Sequence, residues 1–291
     1  MSEMMYGQIM VHCATSIGST VRFTDESGTA RTGTIASNGY LSMKLAAFKR
    51  YTVTLGAFTS DPITLGAGQN VFVEAGLTTA SWDGIKRIVN AGKAADYISN
   101  GDQFTVELSG GETLVYEANV NVYGLGEVDF IPTYCLATTR QHHTSNTNAG
   151  GWNASDLRTY LNNTFITMLP SDLQAVISEK PVKATQGSQV NTVLTSNDKI
   201  WIPTEKEVFG GITYSGSSEN SVNNLYPIFT DAASRVRTQG SNGAAGYVWL
   251  ASPYIGNSTH FCIVGTSGAP DYGGASGSYG VLPCFRIAPD A

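Results

Sequence analysis

Charge is scarce in this chain. Asp, Glu, Lys and Arg make up 14% of its 291 residues, against roughly 25% in an ordinary soluble protein. Much of its surface must therefore be built from uncharged polar groups. The 17 basic residues are outnumbered by 23 acidic ones and gather into no stripe, which argues against nucleic acid as a partner. No run of eighteen apolar residues occurs, so no membrane-spanning helix is expected. The opening residues Met1-Ser2-Glu3-Met4-Met5 lack the basic and apolar segments of a Sec signal peptide. Cysteine is sparse as well. Cys13, Cys135, Cys262 and Cys284 show no CxxC or zinc-ligand spacing, so buried free thiols are expected rather than a disulfide framework or a metal site. No cofactor is implied.

Glycine (32 residues) and tyrosine (14) are plentiful, and the turns and β-forming residues they supply favour strands over long helices. Residues 1–78 read as a small all-β domain. Its runs include Gln8–Cys13, Thr20–Thr24, Gly33–Ala36, Tyr40–Leu45, Tyr51–Gly56, Pro62–Leu65 and Asn70–Ala75. Ser37-Asn38-Gly39 is a hairpin signal. Six or seven evenly spaced strands argue a β-sandwich. Their order resembles immunoglobulin-like and carboxypeptidase-regulatory-like modules, and that resemblance implies a spacer. The boundary is expected at Leu77-Thr78-Thr79-Ala80.

Residues 79–291 mix helices and strands, giving an α+β class for the whole. Ser81 caps a helix whose Trp82, Ile85, Ile88 and Val89 share one face and which Gly92 ends. Ala94–Ile98 reads as a further short helix. Strands are expected at Gln103–Leu108, Glu112–Ala118, Val120–Gly124 and Asp129–Leu136. Ser155 caps a helix with Leu157 and Leu161 inward, and Met168–Ile177 is another. Lys180–Thr185 is a strand, and Lys199–Phe209 a strand turning into a short helix. Gly210–Asn224 reads as an exposed Gly/Ser/Asn loop. Trp152, Trp201 and Trp249 belong in the core, Arg158 and Arg286 in buried pairs, and His142-His143 in a loop.

The C-terminal stretch from Tyr247 has the most unusual composition. Tyr247–Pro253 and Gly280–Ile287 read as buried framework. The thirty residues between, Ser252–Val281, contain no Lys, Arg, Glu, Gln, Met or Trp, although long flexible side chains normally supply much of a protein surface.

The motifs Gly150-Gly151-Trp152, Ser155-Asp156-Leu157-Arg158, Leu161-Asn162, Leu169-Pro170, Lys199–Thr204, Val248–Pro253 and Gly280–Ile287 occur in an order that resembles the C-type-lectin-like domain of formylglycine-generating-enzyme type. The resemblance covers roughly residues 80–291. Within that group the last stretch is similar to the variable region of diversity-generating retroelement target proteins. In those systems, adenines of a template repeat are randomised by reverse transcription. Asn codons so treated cannot yield Lys, Glu, Gln, Met or Trp, which are among the types missing from Ser252–Val281. The alternation in Cys262-Ile263-Val264-Gly265-Thr266-Ser267-Gly268-Ala269 fits a template of alternating Asn codons, and in an extended segment it would put the varied residues on one face.

The resemblance implies a ligand-binding protein whose specificity lies in about residues 252–281. The expected exchangeable contacts are Tyr254, Ile255, Gly256, Thr259, His260, Ile263, Gly265, Ser267, Ala269, Asp271, Tyr272, Gly273, Gly274, Gly277 and Tyr279. Rigid tyrosines among Ser, Thr and Gly form the mixture that antibody paratopes use. Trp249, Pro253, Phe261, Cys262, Val264, Gly280, Val281, Pro283 and Phe285 are the expected fixed frame. The partner is a protein or glycan surface ligand. A homo-oligomer, or attachment to a virion or surface structure, is the expected context. Location on a phage tail, or on a surface reached by a non-Sec route, follows from the same resemblance. Catalysis is not expected. A formylglycine-generating oxidase would need a copper-binding cysteine pair, and the spacing of Cys262 and Cys284 does not match it. Calcium-dependent sugar binding lacks its Glu-Pro-Asn or Gln-Pro-Asp ligands. That oxidase, or a purely structural tail or pilus subunit, is the alternative.

Overall fold

The computed structural model describes residues 5–13, 16–56, 58–75 and 79–290. The chain is a mixed α+β protein, mostly strands with short helices, and it divides into two compact units, Met1–Arg87 and Ile88–Ala291. Of the boundary expected at Leu77-Thr78-Thr79-Ala80, Leu77 and Thr78 fall outside the described residues.

The first unit contains β1 (Tyr6–His12), β2 (Thr20–Asp25), β3 (Ala30–Thr34), β4 (Tyr40–Ala46), β5 (Lys49–Leu55), β6 (Phe58–Thr59), β7 (Ile63–Leu65) and β8 (Asn70–Glu74). They form a sheet ordered β4-β1-β8 and a second ordered β3-β2-β5-β6, with β7 also on β5. Period-two alternation explains the pairing: Ile9 and Val11 of β1 and Val21 and Phe23 of β2 point inward and are fully buried. They join Leu45, Val53, Leu65 and Val73 in one apolar cluster. The Ser37–Gly39 signal does make a tight turn, with Gly39 at φ +81 and its amide on the Ala36 carbonyl at 2.9 Å. It is not a hairpin, however, because β3 pairs with β2 and β4 with β1.

Helix α1 (Trp82–Asn90) starts where Ser81 Oγ accepts the Gly84 amide at 3.1 Å, and Gly92 at φ +69 follows its end. α2 (Ala94–Tyr97) comes next, then β9 (Gln103–Glu107), β10 (Thr113–Val120) and β11 (Val128–Pro132). The strand expected at Val120–Gly124 is instead a turn. Asn121 adopts φ +59 and its side chain accepts the Gly126 amide at 2.7 Å, folding the chain back. β12 (Arg140–Gln141), α3 (Asp156–Asn163), α4 (Ser171–Val176), β13 (Lys180–Gly187), β14 (Val190–Asp198), β15 (Ile200–Trp201), α5 (Glu205–Phe209) and α6 (Ala232–Arg235) lead to the last strands. These are β16 (Val248–Pro253), β17 (His260–Val264), β18 (Pro270–Gly274), β19 (Ser278–Tyr279) and β20 (Cys284–Ile287).

β20 lies between β15 and β11 in a sheet ordered β15-β20-β11-β10-β9, while β16-β17-β18 form a separate antiparallel sheet. The chain end is locked by charge. Arg286 donates from Nε and Nη2 to the Asp129 carboxylate at 2.7 and 2.8 Å and lies 2.8 Å from Glu127 Oε2. Tyr226 adds a hydroxyl donor to Asp129 at 3.0 Å. Removing one partner of such a buried pair strands the other charge and costs about 3–5 kcal/mol. Arg158 pairs with Asp198 at 2.7 Å, and Asp198 also accepts from Trp152 Nε1 at 2.8 Å. Trp152, Trp201 and Trp249 are fully buried. Among the described residues no helix is long and apolar enough to cross a membrane.

Candidate functional site

Two ends hold the C-terminal stretch, and what lies between them reaches solvent. All nine residues expected to form its frame are buried: Trp249, Pro253, Phe261, Cys262, Val264, Gly280, Val281, Pro283 and Phe285. Tyr247, expected with them, is 43% exposed. Of the fifteen expected contact positions, twelve are exposed or half-buried: Tyr254, Ile255, Gly256, Thr259, His260, Ser267, Ala269, Asp271, Tyr272, Gly274, Gly277 and Tyr279.

The other three are corrected. Ile263 lies on the central strand β17, paired with Trp249 and Asp271, and is 2% exposed. Gly265 is buried in the turn that joins β17 to β18, its amide on the Ala269 carbonyl at 2.8 Å. Gly273 lies under the Tyr279 ring, where a Cβ would come within 2.4 Å of it. The continuous one-faced alternation expected over residues 262–269 also fails. β17 ends at Val264, and Gly265–Gly268 is a tight turn closed by the Gly268 amide on the Gly265 carbonyl at 2.9 Å. Gly268, at φ +78, has no room for a side chain, since a Cβ would meet the Ala232 carbonyl at 1.9 Å.

The exposed positions build an aromatic platform. The Tyr254 ring stacks on Tyr272 with centroids 4.3 Å apart and planes at 12°. Tyr214 meets both edge-on, at 5.7 and 5.0 Å, and His260 is edge-on to Tyr272 at 5.6 Å. Offset stacks and edge contacts of this kind fix ring orientation. Tyr279 leans on Trp249 at 4.6 Å and on Tyr247 at 5.5 Å.

The residues that hold the platform were not singled out by sequence. Asn148 is fully buried, and its amide Nδ2 donates to the carbonyls of Tyr254, Asn257 and His260 at 3.2, 2.9 and 2.7 Å. Its Oδ1 accepts the Ser188 amide at 2.8 Å. One side chain thus clamps the whole β16–β17 loop. Asn257 tightens it from within, accepting the Thr259 and His260 amides at 2.9 and 3.0 Å.

The loop at Gly210–Asn224 is corrected as well. It is pinned by two buried carboxylates rather than freely exposed. Glu205 accepts the main-chain amides of Thr213, Tyr214 and Ser215 at 2.7–3.1 Å, which delivers Tyr214 to the platform. Glu219 accepts the Thr185 amide and hydroxyl at 2.8 and 2.9 Å and the Ser252 hydroxyl at 2.5 Å. Burial raises its carboxyl to about 7, against the pull of those donors. His142, read as a loop residue, is fully buried and stacked on Phe261 at 3.5 Å; burial pulls it down to about 3, so it is a neutral ring of the core. All four cysteines are buried. Burial drives the thiols of Cys262 and Cys284 well above their ordinary range, and their strands β17 and β20 belong to different sheets. Among the described residues no cluster of His, Cys, Asp and Glu could hold a metal ion.

Beside the platform, the short β12–β19 ribbon separates two grooves that share Thr139 and Ser278. One, about 320 Å³, runs past Arg140, Asp156 and Tyr160. The other, about 380 Å³, runs past Gln239, Tyr247 and Tyr279.

A mixed α+β unit that displays an aromatic platform on a rigid frame is the class this geometry defines. Residues 110–289, well over half of the chain, match the family described as "Domain of unknown function (DUF6273)", and the chain belongs to that family. No curated protein matches it. Two solved structures are similar in part. The S.CueP crystal structure is 13% identical with a TM-score of 0.19, over 25% of this chain and 62% of that one. The Bacillus anthracis TIE protein is 13% identical with a TM-score of 0.20, over 44% of this chain and 28% of that one. The chain spans less than two thirds of either, and at these scores neither likeness carries an argument about fold or function.

Proposed function

We propose that this is a recognition protein whose C-terminal surface is exchanged by a diversity-generating retroelement, and that it binds a protein or glycan ligand on a phage or bacterial surface without chemistry on it. In this reading Ile88–Ala291 is a C-type-lectin-like domain, and the N-terminal unit is an immunoglobulin-like or carboxypeptidase-regulatory-like spacer. The carrying observation is the partition of the C-terminal stretch: all nine frame positions are buried, while twelve of fifteen contact positions reach solvent. Tyr254, Tyr272, Tyr279 and His260 supply rigid contact area, and Ser267, Thr259 and the glycines supply adaptable hydrogen bonds and room. Modest affinity per site would be multiplied by display in several copies. A copper-dependent oxidase of formylglycine-generating type is disfavoured because Cys262 and Cys284 sit buried on separate sheets.

The test is at the gene. A near-copy of its 3′ end, with adenines at the codons of the twelve solvent-reaching positions and a reverse transcriptase beside it, is the expected result. Flanking DNA with neither sinks the proposal.

A further inference from the structure

Arg140 stands apart from the other arginines of its unit. Arg158, Arg237 and Arg286 face carboxylates, and Arg235 donates to the Gly268 carbonyl at 2.9 Å. The Arg140 guanidinium lies over the Tyr160 ring, its central carbon 3.5 Å from the centroid, and its Nε is buried without a hydrogen-bond partner. Its main chain is held by Trp249 Nε1, which donates to its carbonyl at 2.7 Å, and by pairing with Tyr279 in the β12–β19 ribbon. The stack orients the fork and leaves its donors unused, at the wall of the 320 Å³ groove.

Asp156 also lines that groove. Its Oδ2 accepts the Thr144 amide and hydroxyl at 2.8 and 2.6 Å, and these bonds lower its pKa and hold it ionised. Its other carboxylate oxygen has no partner among the described residues. The remaining wall is uncharged, with the polar side chains of Thr139, Gln141 and Ser278 and the apolar Leu157. A planar cation, an acceptor oxygen and neutral hydroxyls around a space of this size suit a ring carrying one carboxylate and several hydroxyls. An oriented guanidinium takes a carboxylate bidentately, and a carboxylate oxygen accepts a sugar hydroxyl.

We propose that the Arg140–Tyr160–Asp156 groove is a fixed subsite for an acidic sugar, with Arg140 on its carboxylate and Asp156 on a hydroxyl. None of the fifteen expected exchangeable positions lines it, so it would give every variant of the surface the same anchor. The groove's lining side chains come from outside those positions, and Tyr279 touches it only through main-chain pairing with Arg140. Its failure would leave the exchangeable surface standing, and failure of the gene-level test would leave the groove standing.

The experiment is a titration of the full chain, followed by NMR, with glucuronate, glucose and acetate. Saturable binding of glucuronate is expected, at least about tenfold tighter than either control, the size of one charge-assisted pair. Arg140→Gln should erase that preference with an unchanged thermal midpoint. If Arg140→Gln proves unfolded, Arg140→Lys serves in its place, since it keeps the charge and loses the fork. The proposal is overturned if none of the three probes saturates, if acetate binds as tightly as glucuronate (a bare carboxylate site, such as an acidic peptide would use), or if the folded variant keeps the preference.

Discussion

Replacing Asn148 with alanine removes two amide N–H donors, shared among the carbonyls of Tyr254, Asn257 and His260, and the oxygen that accepts the Ser188 amide. Each buried bond is worth roughly 1 kcal/mol net, and more if its partner is left dry. Part of the loss is recovered, because Gly256 and Ser258 lie on the exposed side of the loop, where water can reach the freed carbonyls. The expected loss is about 3 kcal/mol. It should be concentrated in residues 254–260, since nothing else ties that loop to the β13–β14 turn as firmly. Hydrogen exchange reads this directly. The Tyr254 amide, bonded to the His260 carbonyl at 3.0 Å, should lose about a hundredfold in protection, the equivalent of that free energy. Urea denaturation should give the global figure. A loss under about 1 kcal/mol with unchanged exchange at Tyr254 would refute the clamp.

Three further outcomes follow from the same geometry. Glu219 has a folded pKa of about 7 against an ordinary 4.5. The folded state therefore holds its proton more tightly, and the stability gained is fully present below 4.5 and lost as pH rises to 7, about 3 kcal/mol in all at roughly 1.4 per unit. Buried neutral His142 contributes in the opposite sense below 6.5 in both proteins, so the test is the difference: Glu219→Gln should make the slope of denaturant midpoint against pH more positive across this range, and identical slopes would contradict it. Gly268→Ala, at φ +78 against the Ala232 carbonyl, should cost at least about 2 kcal/mol, whereas Ser267→Ala next to it, exposed, should stay within about 0.5 kcal/mol by thermal melting. Ile263→Asn should destabilise by about 3 kcal/mol, but Ile255→Asn by less than about 1, and equal effects would show that burial does not divide the two.

The frame was legible in sequence because its signals are local and redundant. Ser81 and Ser155 cap their helices as side-chain chemistry requires. The apolar alternation of the first unit names its inward residues, and the missing long side chains mark out the surface stretch. What was not legible depends on distant pairing. β14 carries mostly exposed or half-buried residues, and the turn before it uses Ser188 and Gln189 at φ 52 and 63, where the sequence signal for such a turn is Asn-Gly or Asp-Gly. Gly210–Asn224 reads as an exposed loop because low complexity hides Glu219, whose partners Thr185 and Ser252 lie 34 and 33 residues away. Asn148 looks like any loop amide until the 254–260 carbonyls converge on it. Ile263 follows the two-residue alternation but not the sheet, because β17 is the middle strand and both its faces are covered.

If a fixed frame carries an exchangeable surface, the two sets of positions must differ in a library. The codons of the twelve solvent-reaching positions are randomised as an adenine-mutated Asn codon would be, and the fraction of members that melt cooperatively near the parent is measured. A matched library randomises Ile263, Gly265 and Gly273. Most members of the first should keep the parental thermal midpoint and most of the second should lose it. Equal loss of folding in both would contradict the claim.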